Sequence, residues 1–246
     1  MTGATGNIGR MLVDLLLAEP ASGAEGYIRR VETVPAAVEG VDLMYLAPAP
    51  ETVDQAVALA RDAGVRQIVD LSGQPESWWH PVAAAVESSG VAWTHLWPGE
   101  FMENTTMWAS QIRTAGAVRE PYPASANAPI AMRDVAAVAA TVLLEGGHDG
   151  QAYALTGPET LTRVEMVCRI GEALGREVRF VTVPPERAVE ELAVDMGEYA
   201  RWYVEGLASL AEHPQTAVRT VEQVTGRPTT TFASWALDNA HLFRGR

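Results

Sequence analysis

Residues 1–12, MTGATGNIGRML, carry the feature of the sequence that indicates the fold most directly. Gly3, Gly6 and Gly9 are spaced as G-x-x-G-x-x-G and lead into an apolar stretch with helical periodicity. This pattern is typical of a dinucleotide-binding turn, in which glycines let the backbone approach a pyrophosphate at the N-terminus of a helix. Such a turn normally follows a buried β-strand, whereas only two residues precede it here. The pattern therefore predicts a nucleotide-binding fold whose first strand is missing.

Composition and charge exclude several classes of partner. The chain has 246 residues, of which 48% are hydrophobic, and its net charge is −13. An acidic protein lacks the basic stripe that nucleic-acid binding requires, so we expect no nucleic-acid partner. No stretch approaches the roughly 18 apolar residues of a membrane span, and no secretory signal opens the chain. The single Cys168 cannot form an intrachain disulfide, which is typical of proteins in a reducing compartment. Together these features predict a cytoplasmic protein without a membrane partner.

The chain contains no lysine. All 18 of its basic residues are arginines. This absence excludes Schiff-base catalysis, the phosphate-binding lysine of P-loop proteins and the Tyr-x-x-x-Lys pair of standard short-chain dehydrogenases. Any chemistry performed by this protein must use other groups.

Short apolar runs alternate with amphipathic stretches after the glycine turn. The predicted strands are Leu43 to Leu46, a run within VRQIVDLSG (65–73) and the start of VAWTHLWPGEFMEN (91–104). The stretches between them have helical periodicity, and one carries a proline in its first turn. Buried strands that alternate with helices predict an α/β fold with a doubly wound parallel sheet.

The alternation becomes less regular after about residue 108. We expect a reduced α/β domain over residues 1–149 and a small, mostly helical C-terminal lobe over residues 150–246, packed on it. The lobe is expected on the substrate side of the protein.

Several stretches, taken in order, resemble one family. They are TGATGNIGR, GVDLMYLAP, VRQIVDLSG, WWHPVAAAVESSGVAWTHLWPGEFMEN, APIAMRDVAAVAATVL and YALTGPETLTRVEMVCRIGEALGREVRF. Together they resemble the NmrA-like atypical short-chain dehydrogenase/reductases, in the branch of triphenylmethane-reductase-like and NAD(P)H:quinone-reductase-like proteins. The resemblance covers most of residues 2–183, and TGRPTTTFASWALDNA is similar to the usual C-terminal helix of the family.

The resemblance implies a Rossmann-like sheet that binds NADP(H) or NAD(H) across its C-terminal edge, with a substrate cleft under the C-terminal lobe. Members of the family reduce aromatic or quinone-like molecules, and others are redox sensors. Members also carry a strand before the glycine turn, and a strand, a helix and another strand where this chain has only Ala21 to Pro35. Fifteen residues are too few for these elements, so most of the adenosine-binding half is expected to be missing.

Candidate cofactor contacts lie at the glycine turn and at the ends of the predicted strands. Arginines about 20 residues beyond the turn could bind the 2′-phosphate of NADP or could simply be solvated. The hydroxyl of Ser72, at the end of a predicted strand, could orient a nicotinamide amide, or Ser72 and Gly73 could simply be the residues at which the strand ends. The candidates are Gly3, Thr5, Gly6, Asn7, Ile8, Gly9, Arg29, Arg30, Ala47, Pro48, Ser72, Gly73 and Pro98.

Candidate catalytic residues are Ser72, His80 and Glu100. His80 could donate a proton near neutral pH, and Glu100 could act as an acid or base if it is partly buried, or face solvent in its loop. A flat substrate could stack on the aromatic residues nearby, although each of them could instead be a core residue. These substrate candidates are Trp78, Trp79, Trp97, Phe101, Met102, Asn104, Trp108 and Trp202.

Three functions remain open at this point. The first is an NAD(P)H-dependent oxidoreductase acting on a planar, apolar small molecule. The second is a cofactor-free isomerase, cyclase or lyase on the same scaffold, and the third is a non-catalytic ligand or redox sensor. The five histidines show no metal-binding spacing, and no G-x-S-x-G motif is present, so we expect neither a metal site nor a serine hydrolase. A homodimer could cover the sheet edge that missing strands would expose.

Overall fold

A computed structural model describes residues 7–18, 38–47 and 49–244. In chain order the helices and strands are α1 (Asn7–Ala18), β1 (Leu43–Leu46), α2 (Val53–Asp62), β2 (Gln67–Leu71), α3 (His80–Ser88), β3 (Ala92–Pro98), a 3-10 helix (Met102–Trp108), α4 (Ala109–Ala115), β4 (Ala117–Glu120), β5 (Ala126–Asn127), α5 (Met132–Leu144), β6 (Gln151–Leu155), β7 (Leu161–Thr162), α6 (Arg163–Leu174), β8 (Arg179–Thr182), α7 (Pro185–Met196), α8 (Tyr199–Glu212), α9 (Thr220–Thr225), α10 (Phe232–Asp238) and a second 3-10 helix (Ala240–Leu242). None of the helices in these ranges has the length and apolar character of a membrane-spanning helix.

Contacts divide the chain into two units. Unit 1 contains the described residues up to Pro98, together with Met132–Leu155 and Arg219–Pro228. Unit 2 contains Gly99–Ala131, Thr156–Val218 and the described residues from Thr229 onward. This grouping differs from a single boundary after residue 149, because Gly99–Ala131 groups with unit 2, whereas β6 and α9 group with unit 1. The two-domain division stays a prediction.

The sheet of unit 1 is parallel throughout its described part. Its strand order is β1-β2-β3-β6, with Leu46 opposite Asp70 and Leu71 opposite Leu96. The predicted α/β fold with a parallel sheet is therefore confirmed. Parallel strands need crossover connections, which the helices between these strands supply.

Helices cover the strands because the strand side chains are apolar on both sides. Met44, Leu46 and Ile68 are buried in one cluster with apolar residues of α2 and α3. The buried residues of α2 recur with the period of a helix face: Val53, Ala56, Val57 and Ala60. The helix α5 contacts β1, β2 and β3 and also packs against α1. The first helix after the glycine turn is thus anchored within unit 1.

Unit 2 has its own apolar core, around the 3-10 helix at Met102–Trp108 and the helices α6 and α10. The helix α6 begins with a capping box, in which Thr162 and Glu165 each accept a hydrogen bond from the backbone of the other. Its last residue is followed by Gly175 in the left-handed conformation. Buried core residues include Trp108, Ile112, Met166, Ile170, Phe232 and Phe243. A parallel pair, β4 and β8, and an antiparallel pair, β5 and β7, complete the unit.

Gly157 lies where the backbone of unit 2 is most crowded. A Cβ atom at this position would lie 2.0 Å from the carbonyl oxygen of Pro129, so only glycine fits. Gly157 N also donates a hydrogen bond to Ala128 O at 3.1 Å. The segment after β6 is thereby fixed against residues 128 and 129.

We predict that Gly157→Ala destabilises the protein, because the added methyl group must push the backbone apart. The expected loss in the free energy of unfolding is about 3 kcal/mol, measured by urea denaturation. The control is Gly206→Ala in α8, where no atom lies within 4 Å of the position that the added methyl group would take. The control should stabilise the helix by about 0.5–1 kcal/mol, and equal stability of the two variants would contradict the prediction.

Candidate functional site

The carboxyl ends of the parallel strands form the candidate site of unit 1. The strands β1, β2 and β3 end at Leu46, Leu71 and Pro98, and open α/β sheets bind ligands at this edge. Ser72 N donates a hydrogen bond to Leu96 O at 3.0 Å, so the pairing of β2 with β3 continues one residue beyond β2. Ser72 is thus held at the end of the sheet by its backbone.

Three buried polar atoms at this end of unit 1 have no hydrogen-bond partner among the described residues. They are the hydroxyl of Ser72, the indole nitrogen Nε1 of Trp97 and the ring nitrogen Nδ1 of His80. His80 is the first residue of α3, the helix that follows β2. An unpaired buried polar atom costs about 1–3 kcal/mol, and native proteins rarely leave one without a role. Three such atoms at one sheet edge indicate a place for a polar ligand.

Close packing in the turn between β2 and α3 explains why residue 73 is a glycine. A Cβ atom on Gly73 would lie 2.2 Å from Ser77 Oγ and 3.3 Å from Trp79 Cβ. Ser77 Oγ in turn accepts a hydrogen bond from Trp79 N at 3.2 Å. The glycine therefore lets this turn fold back on itself, and a contact with a cofactor is not needed to explain why a glycine is present.

Two of the predicted substrate contacts precede α3 and have large exposed surfaces. Trp78 is 76% exposed and Trp79 is 43% exposed.

A buried histidine lies between two carboxylates in the same unit. His95 Nδ1 is 2.6 Å from Asp70 Oδ2, and His95 Nε2 is 3.1 Å from Glu87 Oε1. A carboxylate oxygen only accepts hydrogen bonds, so both contacts are satisfied when both ring nitrogens donate, and the arrangement favours the imidazolium form. Burial lowers the pKa of His95, but Asp70 and then Glu87 raise it by hydrogen bonding and charge, and the net pKa lies above its usual value.

The imidazolium of His95 also packs between two indole rings. The Trp93 ring is stacked on it at 4.0 Å between centroids, and the Trp97 ring lies parallel to it at 6.1 Å. Alternate residues of β3 point to the same face of the sheet, which brings the three rings together. A cation held beside an aromatic face is attracted to it. The charge of His95 therefore helps to hold Trp97, whose Nε1 is one of the unpaired atoms at the sheet edge.

Unit 2 contains a second buried charged network, centred on Arg163. Its guanidinium contacts Glu120 twice, with Nε 3.0 Å from Oε2 and Nη2 3.2 Å from Oε1. Both side chains are 1% exposed. The Arg163 guanidinium also lies 4.6 Å from the centre of the Trp108 ring. Burial lowers the pKa of Arg163, but the neighbouring Glu120, Tyr203 and Glu100 raise it by more, so the net pKa is above its usual value and this arginine stays charged.

Glu100 belongs to the same network. Its two carboxylate oxygens lie 3.4 and 3.3 Å from Arg163 Nη1, and one of them accepts a hydrogen bond from Asn127 Nδ2. The side chain of Glu100 is 19% exposed. The alternative of a carboxylate that simply faces solvent is therefore wrong, because Glu100 is held by two partners. Its predicted role as an acid or base stays a prediction.

The other predicted residues lie in varied surroundings. Met102 and Trp108 are fully buried in the core of unit 2, so neither side chain presents a surface to a ligand in this structure. Trp202 is 68% exposed. Phe101 is half-buried and pairs through its backbone with Ile130, whereas Asn104 is exposed. Their substrate contacts stay predictions.

The predicted cofactor residues are only partly described. Asn7 is exposed at the start of α1, Ile8 and Gly9 are buried, and Ala47 is half-buried after β1. The remaining cofactor candidates lie outside the described residues: Gly3, Thr5, Gly6, Arg29, Arg30 and Pro48. The expectations about the missing first strand and the connection from Ala21 to Pro35 also fall outside them.

Several residues of these networks were missed by reasoning from the sequence. Asp70 and His95 offered a signal, since each is the one charged or titratable residue of a buried apolar strand, QIVDL or AWTHLWP, and such a residue needs a partner. Glu120, Arg163 and Tyr203 offered none, because they are distant in sequence and lie in elements of ordinary composition.

We predict that His95 stabilises the protein most at acidic pH. Its folded pKa is raised, so its contribution is fully present below the unfolded pKa of about 6.5 and is lost as the pH rises through the folded pKa. The difference in unfolding free energy between the parent protein and His95→Gln should shrink from acidic to alkaline pH, as measured by urea denaturation. His213→Gln, at an exposed histidine, serves as the control. A difference that grows with pH would contradict the imidazolium.

A second prediction concerns the buried pair in unit 2. Arg163→Met leaves the carboxylate of Glu120 buried without its cation and should cost about 3–5 kcal/mol in the free energy of unfolding. The double variant Arg163→Met/Glu120→Gln removes both charges and should be more stable than the single Arg163→Met variant. Urea denaturation measures the free energies of the parent protein, Arg163→Met, Glu120→Gln and the double variant. Strictly additive losses would show that the two side chains are not coupled.

Comparison with known proteins places the chain among reductases. No family model matches it. It is 34% identical over 285 residues to the (4-alkanoyl-5-oxo-2,5-dihydrofuran-3-yl)methyl phosphate reductase of Streptomyces griseus, covering 99% of this chain and 98% of that protein. It is 36% identical over 245 residues to the NAD(P)H azoreductase of Xenophilus azovorans, covering 93% of this chain and 86% of that protein.

A solved structure agrees with the fold. The NADPH-dependent quinone oxidoreductase of Escherichia coli, complexed with NADPH, superimposes with a TM-score of 0.82 and 22% identity, over 98% of each chain. At this identity the likeness supports the fold alone, whereas the two reductases are similar enough in sequence to establish kinship. Together with the ordered motifs of the sequence, they show that the chain belongs to the NmrA-like atypical short-chain dehydrogenase/reductase family.

Proposed function

We propose that this protein is an NAD(P)H-dependent oxidoreductase that reduces a planar, apolar small molecule of quinone-like or aromatic kind. Two relatives in the family are reductases, and one of them is named for its use of NAD(P)H. The single observation that carries the proposal is the set of three buried polar atoms at the carboxyl edge of the sheet, on Ser72, His80 and Trp97, that have no hydrogen-bond partner among the described residues.

The chemistry of these atoms fits a nicotinamide cofactor. An indole N–H only donates, and a hydroxyl both donates and accepts, so Trp97 and Ser72 together suit a carboxamide or a carbonyl group. Asn7, Ile8 and Gly9 begin α1, and the N-terminus of a helix favours a phosphate. When bound, NAD(P)H supplies the hydride for the reduction. Among the described residues, Ala47, Gly73 and Pro98 are also proposed to line the cofactor. Outside the described residues, Gly3, Thr5, Gly6 and Pro48 are proposed to contact it, and Arg29 and Arg30 are proposed to bind the 2′-phosphate of NADP.

Reduction of a carbonyl compound also needs a proton. A quinone, NAD(P)H and one proton give a hydroquinone and NAD(P)⁺, so one proton must come from the protein or from water. His80 is the proposed donor, because it starts α3 at the same sheet edge and its Nδ1 has no partner among the described residues. Glu100 suits this role less well, since its carboxylate already accepts hydrogen bonds from Arg163 Nη1 and Asn127 Nδ2.

The substrate contacts belong to the proposal as well. Trp78, Trp79 and Trp202 have large exposed surfaces on which a flat molecule could stack. A small-molecule substrate is the partner that the proposal requires. The homodimer and the cytoplasmic setting remain predictions.

We predict that Ser72→Ala weakens NADPH binding, because the cofactor then loses a hydrogen bond at the sheet edge. A loss of about tenfold corresponds to about 1.4 kcal/mol, and quenching of tryptophan fluorescence by added NADPH measures it. The matched control is Ser88→Ala, since Ser88 is exposed and its hydroxyl bonds only to Ala84 O of its own helix. The parent protein should also oxidise NADPH in the presence of 2-methyl-1,4-naphthoquinone.

Two results would contradict the proposal. Failure of the parent protein to bind either NADPH or NADPH's dephosphorylated analogue NADH at millimolar concentration would exclude the reductase. If Ser72→Ala and Ser88→Ala bind NADPH with equal affinity, the cofactor does not bind at Ser72. Turnover of a small molecule without any cofactor would instead support the cofactor-free enzyme.

A further inference from the structure

The Arg163 network of unit 2 contains two carboxylates, Glu120 and Glu100, and one cation. Glu120 is fully occupied, because it receives hydrogen bonds from Arg163 Nε and Nη2, from Trp108 Nε1 at 2.7 Å and from the Tyr203 hydroxyl at 2.9 Å. The positive charge of Arg163 is thus balanced by the negative charge of Glu120 at hydrogen-bond distance. The pair formed by Arg163 and Glu120 is neutral as a whole.

Glu100 is the carboxylate left over. Its contacts with Arg163 Nη1 are longer, at 3.3 and 3.4 Å, and its neutral donor among the described residues is the amide of Asn127. With Glu100, Glu120 and Arg163 the network carries a formal charge of −1 in a largely buried place. A buried charge that is not balanced is unfavourable, so this corner of the network favours a cation or a strong donor. Glu100 keeps 19% of its side chain exposed, which leaves it open on one side.

Two further polar atoms of unit 2 have no partner among the described residues, and one of them belongs to the amide that contacts Glu100. Asn127 is 2% exposed, and while its Nδ2 donates to Glu100, its Oδ1 has no partner among the described residues. Ser125 is fully buried, its Oγ is also unpaired in the described part of the chain, and its carbonyl accepts a hydrogen bond from Arg163 N at 2.9 Å. Asn127 Oδ1 is an acceptor on the same amide that touches Glu100, so the carboxylate and the amide oxygen lie next to each other.

We propose that Glu100 and Asn127 form a recognition site for a positively charged or strongly hydrogen-bond-donating group, such as an amine or amidine, on a planar substrate. Two adjacent acceptors, one of them charged, match a group that presents two N–H donors. Arg163 positions the site, because its Nη1 contacts Glu100 while Glu120 holds the rest of its guanidinium. That the recognised group belongs to a substrate rests on the proposed function. That the site binds such a group rests on the residues of unit 2 alone.

Binding of benzamidinium tests the site without any reaction. This probe is a flat ring with an amidinium fork, and calorimetric titration measures its dissociation constant. The parent protein should bind it, and Glu100→Gln should weaken the binding about tenfold or more, as expected when a charged hydrogen bond of about 1.4 kcal/mol is lost. Asn127→Ala should weaken it as well. Benzoate, which has the same ring and only acceptors, should not bind.

The matched control is Glu205→Gln, the same change at an exposed carboxylate of α8 in unit 2. It should bind benzamidinium like the parent protein. A melting temperature measured for each variant distinguishes loss of the site from loss of the fold, and Asn127→Ala provides a second route if Glu100→Gln unfolds. The proposal is overturned if benzamidinium does not bind the parent protein or binds Glu100→Gln equally well.

A kinetic comparison links the site to the substrate. In 2-amino-1,4-naphthoquinone an amino group replaces the methyl group of 2-methyl-1,4-naphthoquinone, so the two differ in donors and little in size. The ratio of kcat/KM for the amino over the methyl compound should be about tenfold higher in the parent protein than in Glu100→Gln. An unchanged ratio contradicts recognition of a donor by Glu100. If neither compound is reduced, the reductase proposal fails, while the benzamidinium titration still decides whether the site exists.

Discussion

Polar atoms that are taken out of water need partners, and this constraint organises both units of the protein. In unit 2 it is met by the ion pair of Arg163 and Glu120, in which two fully buried charges satisfy each other and draw Trp108 and Tyr203 around them. In unit 1 it is met by Asp70 and Glu87, which hold His95 as a cation within the sheet. Around these paired charges the apolar cores are packed.

The same constraint is unmet at a few defined positions, and these indicate function. At the carboxyl edge of the sheet, the unpaired atoms of Ser72, His80 and Trp97 lie where α/β proteins bind cofactors. In unit 2 the Oδ1 atom of Asn127 has no partner among the described residues, and it belongs to the amide that donates to Glu100, the carboxylate left over by the ion pair. In each unit, buried ion pairs that fix side chains in place occur together with buried polar atoms that have no partner among the described residues.

Much of the fold could be predicted from the sequence, because it follows from local pattern. The strand at Leu43–Leu46 and the helix that starts at His80 were predicted from apolar runs and an early proline, and the parallel sheet followed from their alternation. The order of the motifs also identified the family, which the relatives confirm. The grouping of β6 and α9 with the first unit could not be predicted, since it depends on packing between distant segments.

The candidate site could be predicted only in part. Ser72 follows a buried strand, and the end of a parallel strand is a signal that the sequence contains. The pairing of Arg163 with Glu120 joins residues 43 positions apart and has no such signal. For the same reason Trp108 looked like a substrate contact, although its indole is fully buried and donates to Glu120. Long-range partners of buried charges become visible only in the folded chain.

The most direct measurement is the NMR signal of the Trp97 indole N–H, assigned with a Trp97→Phe variant, as NADPH is added. If the unpaired atoms at the sheet edge bind the cofactor, this proton gains an acceptor and its resonance should move downfield in step with cofactor binding. The Trp235 indole, which already donates to Glu103 in unit 2, serves as the internal reference. A saturating amount of NADPH that leaves the Trp97 signal unmoved would contradict the account.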